Sequence, residues 1–210
     1  MKHEWRKEEK NYYQPGRKPE LKEIPRFQFL TISGQGNPNS ESFGEYIAQL
    51  YALSYGLKMN LKKMDNPPAE YQDYAVYPLE GVWDLTEEGR QTYDGAIDKD
   101  ELVFTLMIRQ PDFIDEEYFR EILELTGKKK PHPLLDKVRF QSIEEGPVVQ
   151  MLHVGSYDDE PESFRQMEAF AAEQRLKRLS KTHREIYLSD FRKTEPAKLK
   201  TVLRFRVAKS

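Results

Sequence analysis

The stretch THREIYLSDFRK, residues 182–193, places three groups able to hold or move a proton at alternate positions: His183, Glu185 and Tyr187. Side chains alternate between the faces of a β-strand, so these three share one face while Arg184, Ile186 and Leu188 share the other. A carboxylate between an imidazole and a phenol has two chemical uses. Burial among apolar rings raises a carboxyl pKa, which suits a general base that activates a water. As an anion ringed by aromatic side chains, it neutralises a delocalised cation, to which each ring face adds about 0.5–2 kcal/mol. A surface carboxylate paired with Arg184, Lys181 or Arg192 is the plain alternative. The strand reads as an exposed edge. Ile186 and Leu188 mark their own face as the one buried under helices, so Glu185 is expected where two halves of the chain meet.

Aromatic residues are abundant, with 12 Tyr, 11 Phe and 2 Trp. Tyr46, Tyr74, Tyr77, Trp83, Phe104, Phe113, Tyr157 and Tyr187 are candidates for the walls of a ligand cleft, about half of them expected to be core instead. Trp83 leads this set because it ends a strand. Flat rings select flat polycyclic ligands by stacking and area burial. His153, on the strand QMLHVG, is a satisfied histidine on the plain reading and a cleft residue on the other.

The elements that must position these groups repeat along the chain. FLTISGQG (29–36) is an apolar strand whose Gly34 precedes Phe43, at the start of a helical pattern, by nine residues. MLHVGSYDDEPESF (151–164) has the same plan, with Gly155 nine residues before Phe164. Two strand-like runs follow in each copy: 74–83 and 101–110, then 184–193 and 200–207, with Tyr77 falling opposite Tyr187. Ser40 or Ser42 suits the N-cap of the first helix, and DDEPESF reads as the start of the second, where acids favour the helix dipole. Residues 116–127 suit a joining helix that Gly127 ends. The chain reads as one α+β domain of tandem strand–helix–strand–strand modules, an antiparallel sheet backed by helices with pseudo-twofold halves at 20–127 and 137–208 and a linker at 128–136.

Composition excludes several function classes. Lys and Arg number 33 against 36 Asp and Glu, a net charge of -3, which gives no basic footprint for direct nucleic-acid binding. No stretch approaches the roughly 20 apolar residues that span a bilayer, and the N-terminus lacks the apolar region of a secretory signal. Cysteine is absent, so disulfides and thiolate chemistry are too. The histidines at 3, 132, 153 and 183 form no metal-ligand spacing, and neither a metal nor a cofactor is expected. These absences suggest a cytoplasmic address.

KPELKEIPRFQFLTISGQGNPNSESF, YPLEGVW, LMIRQPDF, VVQMLHVGSYDDEPESF and HREIYLSDFRKTEPAKLKTVLR occur in an order that resembles the GyrI-like small-molecule-binding family, from about Trp5 to Arg204. The resemblance implies the tandem-module fold shared with SOUL-type haem-binding relatives, although no residue here stands out as a haem axial ligand. It implies binding of small aromatic, often cationic, compounds, and Glu185 matches the glutamate at the floor of the family's ligand cleft. One subfamily resembling this chain hydrolyses the cyclopropane of DNA-alkylating cyclopropanoid natural products within an aromatic cage. That likeness makes Glu185 the general base and gives Tyr187 or Tyr157 the task of orienting water or donating toward the developing phenolate. The residues expected to contact the ligand are Trp83, Tyr77, Tyr46, Tyr157, Phe104, Phe113 and His153. Asp84 departs from the pattern, because an aromatic there would strengthen the cage. The absence of a helix-turn-helix pattern sets the chain apart from the family's transcription regulators. Two alternatives to catalysis remain: sequestration of drugs, with Glu185 as a counter-charge, and a gyrase-inhibitor-like surface for a protein partner.

Overall fold

In the computed structural model, which describes residues 2–94 and 97–209, helices and antiparallel strands alternate. In chain order they are α1 (Trp5–Glu8), α2 (Lys10–Tyr13), β1 (Glu20–Gln35), α3 (Glu41–Leu61), β2 (Leu79–Leu85), α4 (Glu87–Gln91) and β3 (Leu102–Gln110). There follow α5 (Glu116–Lys129), β4 (Arg139–Val154), α6 (Glu160–Glu173), β5 (Leu176–Arg178), β6 (His183–Tyr187) and β7 (Lys200–Lys209). The strand–helix–strand–strand order therefore occurs twice, as β1–α3–β2–β3 and as β4–α6–β6–β7, with β5 inserted before β6. The fold is α+β, as the sequence indicates.

Contacts divide the chain into two units that do not coincide with the repeats. Unit 1 takes the N-terminal residues through Glu4, Phe27–Tyr77 and Asp84–Ile143; unit 2 takes Trp5–Arg26, Pro78–Trp83 and Glu144–Ser210.

In unit 1, Ser40 starts α3 by accepting the Phe43 amide at 3.4 Å. Leu50, Leu53, Leu57 and Leu61 recur at helical spacing and are buried. Helix α3 packs on β3 and on α5. Asp115 caps α5 by accepting the Tyr118 amide at 2.8 Å. The helix runs through Gly127 to Lys129, past the expected stop. Pro131 explains the true end, because the residue before a proline avoids helical geometry. The second strand is also shorter than expected, beginning at Leu79 rather than Tyr74. Pro78 has no N–H for a ladder, and among residues 71–78 the described pairing is one bridge from His3 to Tyr74.

Unit 2 corrects the reading of the 182–193 stretch in two ways. First, β6 is no exposed edge: it pairs antiparallel with β2 through Glu80–Trp83 and with β7 through Thr201–Arg204. β4 lies along the other edge of β7, and β5 pairs with its C-terminal end. Second, α6 covers the face of His183, Glu185 and Tyr187. Its Met167 and Ala171 pack with Val149, Met151, Leu203, Phe205 and Val207, and Leu203 is the register partner of Glu185. Residues directly opposite in an antiparallel pair share a face.

The opposite face of β6 is filled by an ion cluster. Arg184 binds Glu80 at 2.7 Å and Glu145 at 3.1 Å; Arg204 binds Glu145 at 2.8 Å, Gln150 at 2.8 Å and the Tyr12 carbonyl at 2.9 Å. Arg184 and Ile186 are buried, and what lies against Arg184 on this face is the pair of carboxylates Glu80 and Glu145.

Candidate functional site

Glu185 is only 8% exposed, and each of its oxygens has a donor. His183 Nε2 lies 3.0 Å from Oε1, and the Tyr187 hydroxyl donates to Oε2 at 2.8 Å. A carboxylate only accepts, so the His183 proton is assigned to Nε2. The Tyr187 oxygen in turn accepts the indole N–H of Trp83 at 2.8 Å. Trp83, Tyr187 and Glu185 thus form a directed relay that ends on the carboxylate. Burial first, and then the adjacent Glu185 charge, push the Tyr187 phenol well above its ordinary range. It stays neutral and keeps its proton on Glu185, which makes it an orienting group.

The backbone makes room for this relay at Gly81, the register partner of Glu185. A Cβ there would stand 2.7 Å from Trp83 Nε1 and 3.1 Å from the Tyr187 oxygen. Strand β2 can carry the indole over this point only with glycine.

Aromatic rings and a second carboxyl complete the site. The Tyr157 ring meets that of Tyr187 edge-on at 6.1 Å, and Phe164 of α6 meets His183 at 4.7 Å. Burial, and then the Glu185 charge, push the Tyr157 phenol up to about 12. Glu160, first residue of α6, is buried beside Glu185. Ligand atoms of Glu160, His183 and Glu185 all lie within 4.8 Å of one another. Burial and the Glu185 charge raise the Glu160 pKa well above the usual carboxyl range. Two carboxyls and an imidazole at this spacing also suit a divalent cation. The His183–Glu185 hydrogen bond at 3.0 Å joins two of these groups through a proton alone.

Trp83, Tyr157 and Tyr187 gather at Glu185; Tyr46, Tyr74, Tyr77, Phe104 and Phe113 lie in unit 1. There Phe104 packs edge-on against Phe43 at 5.0 Å and Tyr46 at 5.3 Å, over Gly34, where a Cβ would lie 2.6 Å from the Phe104 ring. Tyr77 is buried beneath the Arg109 guanidinium, 4.7 Å from its ring, and Phe113 packs on Tyr71 and Tyr74. His153 is buried, with Nδ1 2.9 Å from Ser163 Oγ and Nε2 2.9 Å from the Ser156 carbonyl, so both ring nitrogens are engaged. Asp84 pairs with Arg90 at 2.7 Å and accepts its neighbour's amide. Two surface depressions, each of about 360 Å³, are lined by neither Glu185 nor its partners.

Sequence reasoning missed Glu160, Phe164 and Gly81. DDEPESF reads as helix-start acid, yet Glu160 and Phe164 are four apart on one helix face, so a helix laid over His183 brings both to the strand. Gly81 carries its signal only when the β2–β6 register is known.

The fold is α+β, and the site is a buried pair of carboxyl groups beside an imidazole and aromatic rings. The chain belongs to the GyrI-like family: the model of the GyrI-like small molecule binding domain matches residues 17–208. A Listeria innocua protein described as a hydrolase is 36% identical, with a TM-score of 0.87 over 99% of this chain and 100% of its own. An uncharacterized conserved protein from Listeria innocua is 38% identical, with a TM-score of 0.88 over the same shares. The C-terminal domain of EcmrR, at 16% identity and a TM-score of 0.53 over 92% of this chain and 98% of its own, shares the fold. No curated protein matches the sequence significantly. Among the described residues, no helix is long and apolar enough to cross a membrane.

Proposed function

We propose that this protein adds water across the cyclopropane of planar cyclopropanoid alkylating compounds, with Glu185 as the general base. The observation that carries the reading is the Glu185 carboxylate, buried and held by one donor on each oxygen beside the rings of Trp83, Tyr157 and Tyr187. The likeness over the whole chain to a protein described as a hydrolase supports it.

In this reaction the oxygen of water attacks the strained ring carbon while Glu185 takes one of its protons. The carbon–carbon bond breaks, and its electron pair passes into the conjugated ring system, whose oxygen becomes a phenolate. The phenolate then takes up a proton and Glu185 releases the one it holds to solvent, so the base is restored and the product is the substrate plus one water. Trp83 and Tyr187 contribute by fixing the carboxylate, because a misaimed base loses its advantage steeply. General-base catalysis of this kind contributes about 10²–10⁴-fold.

A second reading has the same site bind planar aromatic cations without chemistry, protecting by sequestration. The buried anion between rings favours it, through charge neutralisation and cation–π attraction. The Glu185→Gln variant separates the two. Turnover collapses with stacking-driven binding retained if Glu185 is a base, whereas cation binding alone weakens if it is a counter-charge. A gyrase-directed surface would leave that variant equal to the parent in a supercoiling assay.

A further inference from the structure

Glu160 is a buried titratable group that this reaction does not use. Its Oε1 is buried without a hydrogen-bond partner among the described residues, and an oxygen of its carboxyl lies within 4.8 Å of one of Glu185. An ionised carboxylate with one orphaned oxygen, deep in the protein and against a second carboxylate, is strongly disfavoured. A neutral acid fits both observations: its O–H donates to Glu185, and its carbonyl oxygen tolerates the empty side. We infer that Glu160 is a positioning residue that keeps a proton and donates it to Glu185, so that the pair carries one negative charge, held on Glu185.

The surroundings favour this assignment from most sides. The N-terminus of α6 favours an anion at Glu160, an effect confined to the first turn. Against it stand burial, the Glu185 charge and Asp158, which together raise the Glu160 pKa. The other titratable groups facing the pair are His183 and Tyr187 on β6 and Tyr157 in the turn before α6. Both phenols ionise well above neutral pH. Glu185 therefore receives three donors, from His183, Tyr187 and Glu160. Loss of the Glu160 proton at alkaline pH removes one donor and puts a second negative charge beside the base.

This inference rests on the proposed hydrolase for its kinetic consequence, but the proton itself is observable without turnover. Infrared difference spectra between the wild type and Glu160→Gln, with ¹³C-labelled glutamate, are expected to show a protonated carboxyl band at neutral pH that the variant lacks. Its absence overturns the inference whether or not the protein is an enzyme. In pH–rate profiles, Glu160→Gln, which keeps a neutral N–H donor, is expected to stay within a few-fold of wild type and to lose the alkaline decline. Glu160→Ala is expected to fall at least about tenfold. A His183→Gln profile that keeps the alkaline decline assigns that decline to the carboxyl pair. Glu160→Gln falling as far as Glu185→Gln, or Glu160→Ala matching wild type, contradicts the positioning role. A wild type without turnover sinks the hydrolase reading and leaves the infrared result to decide the proton.

Discussion

Gly81 stands opposite Glu185 in the β2–β6 ladder, and the volume its missing side chain leaves is filled by the Trp83 indole N–H and the Tyr187 hydroxyl. The relay that aims the carboxylate depends on that vacancy. Gly81→Ala must push the indole or the phenol aside, since 2.7 Å is far inside ordinary carbon–nitrogen contact. Overpacking of this sort costs about 1–3 kcal/mol. We expect a matching loss of stability in denaturant titrations and a drop in turnover larger than that of Tyr187→Phe, which removes the hydroxyl's two hydrogen bonds but moves nothing.

The ion cluster behind β6 holds the strand from its other face. Burial pushes the Glu145 carboxyl up, but Arg184 and Arg204 outweigh it and hold the group below its usual range. Glu145→Ala leaves two buried guanidiniums short of their shared anion, a change that costs about 3–5 kcal/mol. Equilibrium unfolding measures it directly, and a loss under about 1 kcal/mol would show that the cluster is not what fixes β6.

Much of this frame was legible in the sequence. Alternation placed His183, Glu185 and Tyr187 together, the Gly-to-Phe spacing revealed two modules, and Ser40 or Ser42 marked the start of α3, with Ser40 the cap. The covering of each face was not legible. Ile186 and Leu188 are apolar, which suggests a helix above them, yet the Arg184–Glu145–Arg204 cluster closes that side. A buried ion cluster and a solvated face look alike in one strand, because both are written with charged residues. Glu160 was hidden for the same reason among the acids of DDEPESF. The order of strands decides these cases, and it is set by long-range pairing.

Glu160 has a thermodynamic signature of its own. Its folded pKa is raised, so its contribution to stability is intact below the unfolded value and is lost as pH rises through the folded value. Glu160→Gln is neutral in both states and escapes that loss. The variant should gain melting temperature over wild type at about pH 7 and show little gain at about pH 4, where both side chains are uncharged. Equal differences at both pH values would contradict a raised pKa.

Alkaline pH should destabilise the protein through its buried phenols. Burial pushes Tyr118 and Tyr157 up to about 12, against the ordinary 10.0. Between those values the native state holds protons that the unfolded chain has released, so stability falls across that window and is unaffected below it. Denaturant midpoints from about pH 9 to about pH 11 measure the slope, and Tyr157→Phe should flatten it. An unchanged slope would mean that Tyr157 titrates as an exposed phenol.

The central claim is that Glu185 takes a proton from water. The most direct test incubates the protein, far below stoichiometric amounts, with a cyclopropanoid alkylator and follows the product by mass. The wild type is expected to add one water over many turnovers, and Glu185→Gln to lose about 10²–10⁴-fold with ligand binding retained. Protection without product, or consumption that stops at one equivalent, would contradict it and leave Glu185 as the counter-charge of a binding protein.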